Sequence, residues 1–233
     1  MNSDFLMHYG IPEMKWGVRR YQMAGSSKRT PEGRIRYAHS TEDLADKVYK
    51  KASLAEPKIT KAVTSAIRNA GAKTYGLKNR LKTKESILRK ISDDSKKNGT
   101  TINSAANNIK DAIRYTAMSD DKDFVSNYES IKKSLEDSGY EEVRCRNYFD
   151  LYRQGKANHK QVTSVFSNGK DTFELQFQTP ASIKAKEAKT PLYEEVRKTG
   201  VGKERQSEIE NQMKSLAEQV KNPKSIYSIK SHG

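Results

Sequence analysis

Residues 161–179 read QVTSVFSNGKDTFELQFQT, and this stretch decides the fold. Two runs rich in β-branched and aromatic residues flank Asn168-Gly169. Asn-Gly between such runs is the strongest short-range hairpin signal, because both residues tolerate the positive φ of a tight turn. In the second run Phe173, Leu175 and Phe177 alternate with Glu174, Gln176 and Gln178. Side chains of a strand point to opposite faces in turn, so the apolar set faces a core and the polar set the other side.

Working outward, Tyr140 to Phe149 reads as a further strand, with Val143, Cys145 and Asn147 on one face and Arg144, Arg146 and Tyr148 on the other. Residues 123–138 carry Phe124, Tyr128, Ile131 and Leu135 at helical spacing, and Gly139 closes that helix. Residues 102–118 start with a helical pattern, while 112–117 (AIRYTA) read as a buried strand. Residues 80–97 predict a basic helix with Leu81, Ile87, Leu88 and Ile91 as its apolar set. Residues 40–70 predict helix, with Ser40 and Thr41 as caps and Pro57 as a break. Downstream, 181–198 and 203–221 predict helices, and the residues after Pro223 read as a tail. The expected architecture is α+β: a mixed or antiparallel sheet flanked by helices, with a flexible N-terminal arm and extra N- and C-terminal helices. The expected divisions are an arm over 1–36, a helical segment over 40–79, an α+β domain over 80–200 and a C-terminal helix and tail over 201–233.

The chain has 233 residues, 44 Lys+Arg against 29 Asp+Glu, and a formal charge of +15. Its apolar share is 34% and its mean hydropathy −0.93, so polar segments dilute one normal core. No apolar run approaches the length of a membrane span, and no basic region followed by an apolar one marks a signal peptide. A single cysteine, Cys145, excludes an intrachain disulfide and a multi-cysteine zinc site, and a reducing compartment is the default. The positive balance favours anionic partners such as nucleic acid, nucleotide phosphates or an acidic protein surface. Neither GxxxxGK[ST] nor GxGxxG is present, so neither common Gly-rich phosphate cradle is available.

Three places can carry chemistry. In residues 80–90 (RLKTKESILRK), Lys82, Ser86 and Lys90 recur one helical turn apart, with Arg80 beside them. Two ammonium groups and a hydroxyl on one face can grip a polyphosphate, although most basic helical faces are simply solvated. Asp111 stands at the mouth of an apolar strand, where a carboxylate serves either as a turn cap or as a Mg²⁺ ligand. Glu174 serves either as one more polar residue of an amphipathic strand or as a general base or metal ligand.

Taken together, these segments resemble one family. RLKTKESILRK is similar to the R-x-K-x-x-x-S-x-x-x-K helix of the RelA/SpoT synthetase domain, IKDAIRY to its Asp-bearing strand ending in Arg, and FELQFQT to its E-x-Q-x-R-T strand. LYEEVR resembles the helix that follows, and the resemblance runs over about residues 80–197. It implies transfer of pyrophosphate from ATP to a 3′-hydroxyl of a nucleotide or tRNA, assisted by Mg²⁺. By the same resemblance Arg80, Lys82, Ser86 and Lys90 hold ATP phosphates, Asp111 binds Mg²⁺, and Glu174 binds it or deprotonates the acceptor. Arg114, Gln176 and His159 complete the nucleotide-binding set, His159 standing where the family stacks a Tyr on the acceptor base. Three features depart from the family. Asp111 and Arg114 lie closer together, the Gly and final His of the acceptor loop are missing, and Gln178 replaces an Arg. These departures set a catalytically silent form beside the active one.

The arm carries a second resemblance. LMHYGIPEMKWGVRRY, residues 6–21, resembles the HYG-x-x-x-MKWGVRR peptide of tailed-phage head-associated proteins. Its aromatic and basic residues suit a docking peptide whose rings anchor and whose Arg pair bonds carboxylates or phosphates. His8, Tyr9, Met14, Lys15, Trp16, Gly17, Arg19 and Arg20 are the docking candidates. The expected partners are phage capsid or portal proteins, with packaged DNA a further one. The expected location is the virion head, the bacterial host cytoplasm, or both.

Overall fold

The computed structural model describes residues 40–196 and 201–233, together with the backbone of 28–29 and 35–36. The docking candidates from His8 to Arg20 lie outside the described residues. The chain divides into two compact units, one of 1–48 and 84–109, the other of 49–83 and 110–233.

In the smaller unit, β1 (Lys28–Arg29) pairs antiparallel with β2 (Ile35–Arg36). Helix α1 (Thr41–Asn69) begins here and continues into the larger unit. Ser40 caps it: its Oγ accepts from Asp43 N, and Asp43 Oδ2 accepts from Ser40 N. Helices α2 (Lys84–Asn98) and α3 (Ile102–Asn107) complete the unit and bury Ile87, Ile91, Ala105 and Ala106.

The larger unit is built on a five-stranded mixed sheet, as the fold class expected. Its strands are β3 (Lys73–Tyr75), β4 (Arg114–Met118), β5 (Glu141–Asn147), β6 (Val162–Ser167) and β7 (Thr172–Gln178), in the order β3-β4-β7-β6-β5. Only β4 and β7 run parallel. The β6–β7 hairpin forms as read, with Ser167 opposite Thr172, Gly169 at φ 83°, and Asn168 Oδ1 accepting from Lys170 N and Asp171 N. Phe173 lies edge-on to Tyr115 and Tyr140 and stacks on Phe166, while Tyr128 meets Phe177. Helix α4 (Phe124–Asp137) supplies Phe124, Tyr128, Ile131 and Leu135 to the core. Gly139 at φ 84° ends it, with Tyr140 N donating to Leu135 O and Gly139 N to Glu136 O. Helices α5 (Tyr148–Arg153), α6 (Pro180–Val196) and α7 (Lys203–Glu218) follow the sheet. No helix among the described residues is long and apolar enough to cross a membrane.

Several expectations need correction. Pro57 does not break its helix: it lies on an exposed face of α1, where water can satisfy the carbonyl its ring leaves unpaired. The helix expected from residue 80 starts at Lys84, because the segment before it runs beside β4. Lys82 N donates to Ala112 O, Arg114 N donates to Arg80 O, and Leu81 bridges Ile113. The face read for β5 shifts at an irregularity between Glu142 and Arg144, which leaves Val143 47% exposed and buries the Glu142 side chain. The strand read to Phe149 stops at Asn147, whose Oδ1 accepts from Phe149 N and Asp150 N and caps α5. The tail is packed: Ile226 and Ile229 are buried, and His232 pairs with Cys145 through both backbone hydrogen bonds.

Phe173 is the ring on which the core converges, so Phe173→Ala is expected to cost about 3–5 kcal/mol in urea unfolding. Leu54→Ala, at an 85% exposed position, is expected to stay within about 0.5 kcal/mol of the native chain.

Candidate functional site

The parallel register sets Arg114 opposite Glu174, Thr116 opposite Gln176 and Met118 opposite Gln178. Asp111 stands three residues before Arg114 at the same end of the strand pair. Asp111 and Glu174 are each 7% exposed. The Arg114 guanidinium holds both: Nη2 donates to Asp111 Oδ2 at 2.7 Å, and Nε lies 2.7 Å from Glu174 Oε1. The second contact is an ion pair without a well-aimed hydrogen bond. Lys82 Nζ reaches the same Asp111 oxygen at 3.1 Å. The extended segment beside β4 thus delivers Lys82 to Asp111 through its backbone pairing.

The polar row of β7 is a chain of hydrogen bonds. Gln176 Nε2 donates to Glu174 Oε1 at 2.8 Å, and Gln178 Nε2 donates to Gln176 Oε1 at 3.0 Å. Lys186 of α6 donates to the same Gln176 oxygen at 2.7 Å, and Tyr75 of β3 bonds Glu187. The face read as merely polar is therefore also buried, under α6.

Of the proposed phosphate grip, Arg80 and Lys82 lie in the larger unit, whereas Ser86 and Lys90 lie on α2 in the smaller one. The shared helical face expected for Lys82, Ser86 and Lys90, with Arg80 beside it, does not form, since residues 80–83 precede the helix. Arg80 is held by Glu56 of α1, and that guanidinium keeps the Glu56 carboxyl below its usual range. Lys90 pairs with Asp94 at 3.5 Å on its own helix.

His159 stacks on Tyr148, with ring centroids 4.2 Å apart and tilted 35°. It forms part of the wall of two spaces. One is a partly open cavity of about 150 Å³ beside α6 and α7, reached also by Lys186 and Lys189. The other is an open groove of about 680 Å³ lined by Tyr148, Tyr152 and Lys156. Glu56, Tyr148, Lys186 and Lys189 were not singled out from the sequence. Lys186 and Lys189 did carry a signal: two lysines three apart on the helix that follows a Glu-bearing strand.

The donor set suits Mg²⁺. Asp111 and Glu174 offer hard carboxylate oxygens, and Mg²⁺ is commonly held by one or two carboxylates with waters and substrate phosphates completing its shell. Among the described residues no group of three His, Cys, Asp or Glu side chains forms a closed metal cage.

A protein-family model, a family of unknown function (DUF7211), matches residues 2–23. No curated protein matches the chain. Among solved structures, the small alarmone synthetase 2 from Bacillus subtilis is similar at TM-score 0.50 and 16% identity, over 76% of this chain and 91% of that one. The small alarmone synthetase 1 from Bacillus subtilis bound to its product pppGpp is similar at 0.46 and 13%, over 73% and 88%. A GTP pyrophosphokinase family protein from Streptococcus pneumoniae is similar at 0.48 and 13%, over 76% and 87%. The fold resembles that of a small alarmone synthetase. At this identity the likeness speaks for the fold alone.

Burial holds the His159 imidazole down at about 4, with the charges of Lys189 and Lys186 adding to it. The unfolded chain takes up that proton near 6.5. Folding therefore favours the neutral ring, and this contribution is fully present above about pH 6.5 and is lost as pH falls toward 4. In urea titrations between pH 7 and 4.5, His159→Gln is expected to flatten the loss of stability by on the order of 2 kcal/mol. A His159→Gln curve parallel to the native one contradicts the buried, neutral ring.

Proposed function

We propose that the chain transfers a pyrophosphoryl group from ATP to the 3′-hydroxyl of a nucleotide or a tRNA, with Mg²⁺ assisting. One observation carries this reading: Asp111 and Glu174 stand together at the start of the parallel strand pair, with Arg114 and Lys82 on their oxygens. Phosphoryl transfer asks for charge neutralisation and in-line placement more than for covalent chemistry, and two carboxylates among cations meet that need.

In this reading the acceptor 3′-oxygen attacks the β-phosphorus of ATP. The bond from that phosphorus to the oxygen bridging the α-phosphate breaks, and AMP leaves with the electron pair. The hydroxyl proton passes to a carboxylate oxygen of Glu174, which Gln176 orients through its amide. Asp111 and Glu174 would hold Mg²⁺, which supplies neutralising charge to the polyphosphate when bound. Arg114 and Lys82 are the cations at hand for the phosphates, with Arg80 beside them on the same backbone segment. The stacked pair of Tyr148 and His159 offers a platform for an acceptor base. The reading rests on the larger unit alone.

For the arm, the proposed role is docking on a capsid or portal protein of a tailed phage. The match of a separate family model to residues 2–23 supports treating that segment as a module in its own right. The missing Gly and His of the acceptor loop and Gln178 in place of an Arg favour a second reading, a catalytically silent head or cargo protein whose positive balance faces packaged DNA.

Incubation with labelled ATP, Mg²⁺ and a panel of GDP, GTP, AMP, ADP and tRNA separates the two. Release of AMP with one acceptor, reduced at least about 100-fold in Glu174→Gln and Asp111→Asn, is the expected result. No release with any acceptor, together with capsid co-purification lost on deleting residues 1–22, overturns catalysis and supports the silent form.

A further inference from the structure

Lys160, Lys186 and Lys189 meet around the partly open cavity of about 150 Å³, with His159 beside them. Each ammonium group is bonded, and each partner is neutral. Val220 O accepts from Lys160 at 2.6 Å, Gln176 Oε1 accepts from Lys186 at 2.7 Å, and Asn158 O accepts from Lys189. Acidic groups act on two of them only through space: Glu218 on Lys160, and Glu174 and Glu187 on Lys186. No acidic group acts on Lys189, which is 2% exposed.

Lys189 is costly as it stands, because a buried ammonium without a counter-ion loses hydration that a carbonyl oxygen only partly restores. Lys160 is half-buried and Lys186 exposed along the wall of the same space. Burial depresses the pKa of all three lysines, that of Lys189 to about 8. A structure ordinarily avoids such a cluster by adding a carboxylate or by replacing lysine with an apolar residue. Here the lysines come from two separate places in the chain, the 158–161 segment and α6, and they converge on empty space.

We propose that this cavity is an anion subsite that takes a compact phosphate group, either as the free anion or at the end of a small ligand. Lys186 and Lys189 supply the charge, and Lys160 and His159 form the adjoining wall. A partly open space walled by lysines suits a terminal phosphate. The subsite does not depend on pyrophosphate transfer, since the buried Lys189 calls for an anion whatever Glu174 does. It is nevertheless connected to that carboxylate. Lys186 donates to the Gln176 oxygen, and the Gln176 amide donates to Glu174.

The test is calorimetric titration of the full chain with orthophosphate and with pyrophosphate, in phosphate-free buffer at constant ionic strength. Saturable binding at one site is expected, with a rise in the thermal midpoint beyond that from chloride at equal ionic strength. Lys186→Gln and Lys189→Gln are each expected to weaken binding about tenfold or more, equivalent to about 1.4 kcal/mol. Lys133→Gln, at an exposed site, is expected to bind as the native chain does. If a lysine variant fails to fold, the midpoint shift of the native chain decides the question. A nucleoside 5′-monophosphate binding at least about tenfold tighter than orthophosphate assigns the phosphate to a nucleotide, and equal affinity assigns it to the free anion. Either outcome supports the subsite. No saturable binding and no midpoint shift in the native chain, or undiminished binding in both lysine variants, overturns it.

Discussion

The parallel pairing of β4 with β7 is the constraint on which the rest of the site depends. In that register Arg114 faces Glu174, and its guanidinium spans from there to Asp111. A slip by one residue would turn Glu174 into the core and Phe173 onto the polar face. The aromatic cluster around Phe173 opposes that slip, so packing on one side of the sheet positions charge on the other. Two carboxylates this close and this buried require cations, and Arg114 and Lys82 provide them. Metal and polyphosphate entering the site would stand in for the same interactions, which makes the present ion cluster a plain template for them.

The second face of the sheet has its own logic. Glu174, Gln176 and Gln178 form one hydrogen-bonded row, and α6 lies over it, with Lys186 donating into the row. The row links the carboxylate end to the lysine-walled cavity. The two proposed sites thus lie along one strand: metal with polyphosphate at Glu174, and a compact phosphate beyond Gln176. Buried polar networks of this kind carry their cost in exchange for fixed geometry, since every member's orientation is set by the next.

Much of this was legible in the sequence because strand alternation is a strict rule. The FELQFQT pattern placed Phe173, Leu175 and Phe177 in the core and Glu174 with Gln176 on the far face, and the Asn168-Gly169 turn is present as read. Asp111 and Glu174 were nominated separately, and the fold brings them together. Local pattern failed where tertiary pairing overrode it. Residues 80–82 have helical periodicity, yet their backbone is taken by Ala112 and Arg114, so Lys82 reaches Asp111 instead of lining up with Ser86 and Lys90. Pro57 misled because a solvent-facing proline can be carried inside a long helix. The packed end of the chain was unreadable because Ile226 and Ile229 gain their burial from distant segments, with Asn147 donating to both of their carbonyls.

The most direct measurement is a crystal of the full chain soaked with Mn²⁺ and a non-hydrolysable ATP analogue, with anomalous diffraction locating the metal. The account predicts a manganese peak bonded to Asp111 and Glu174, with Arg114 and Lys82 turned to the phosphates. A nucleotide bound elsewhere, with Arg114 still bridging the two carboxylates and no metal beside them, would contradict it.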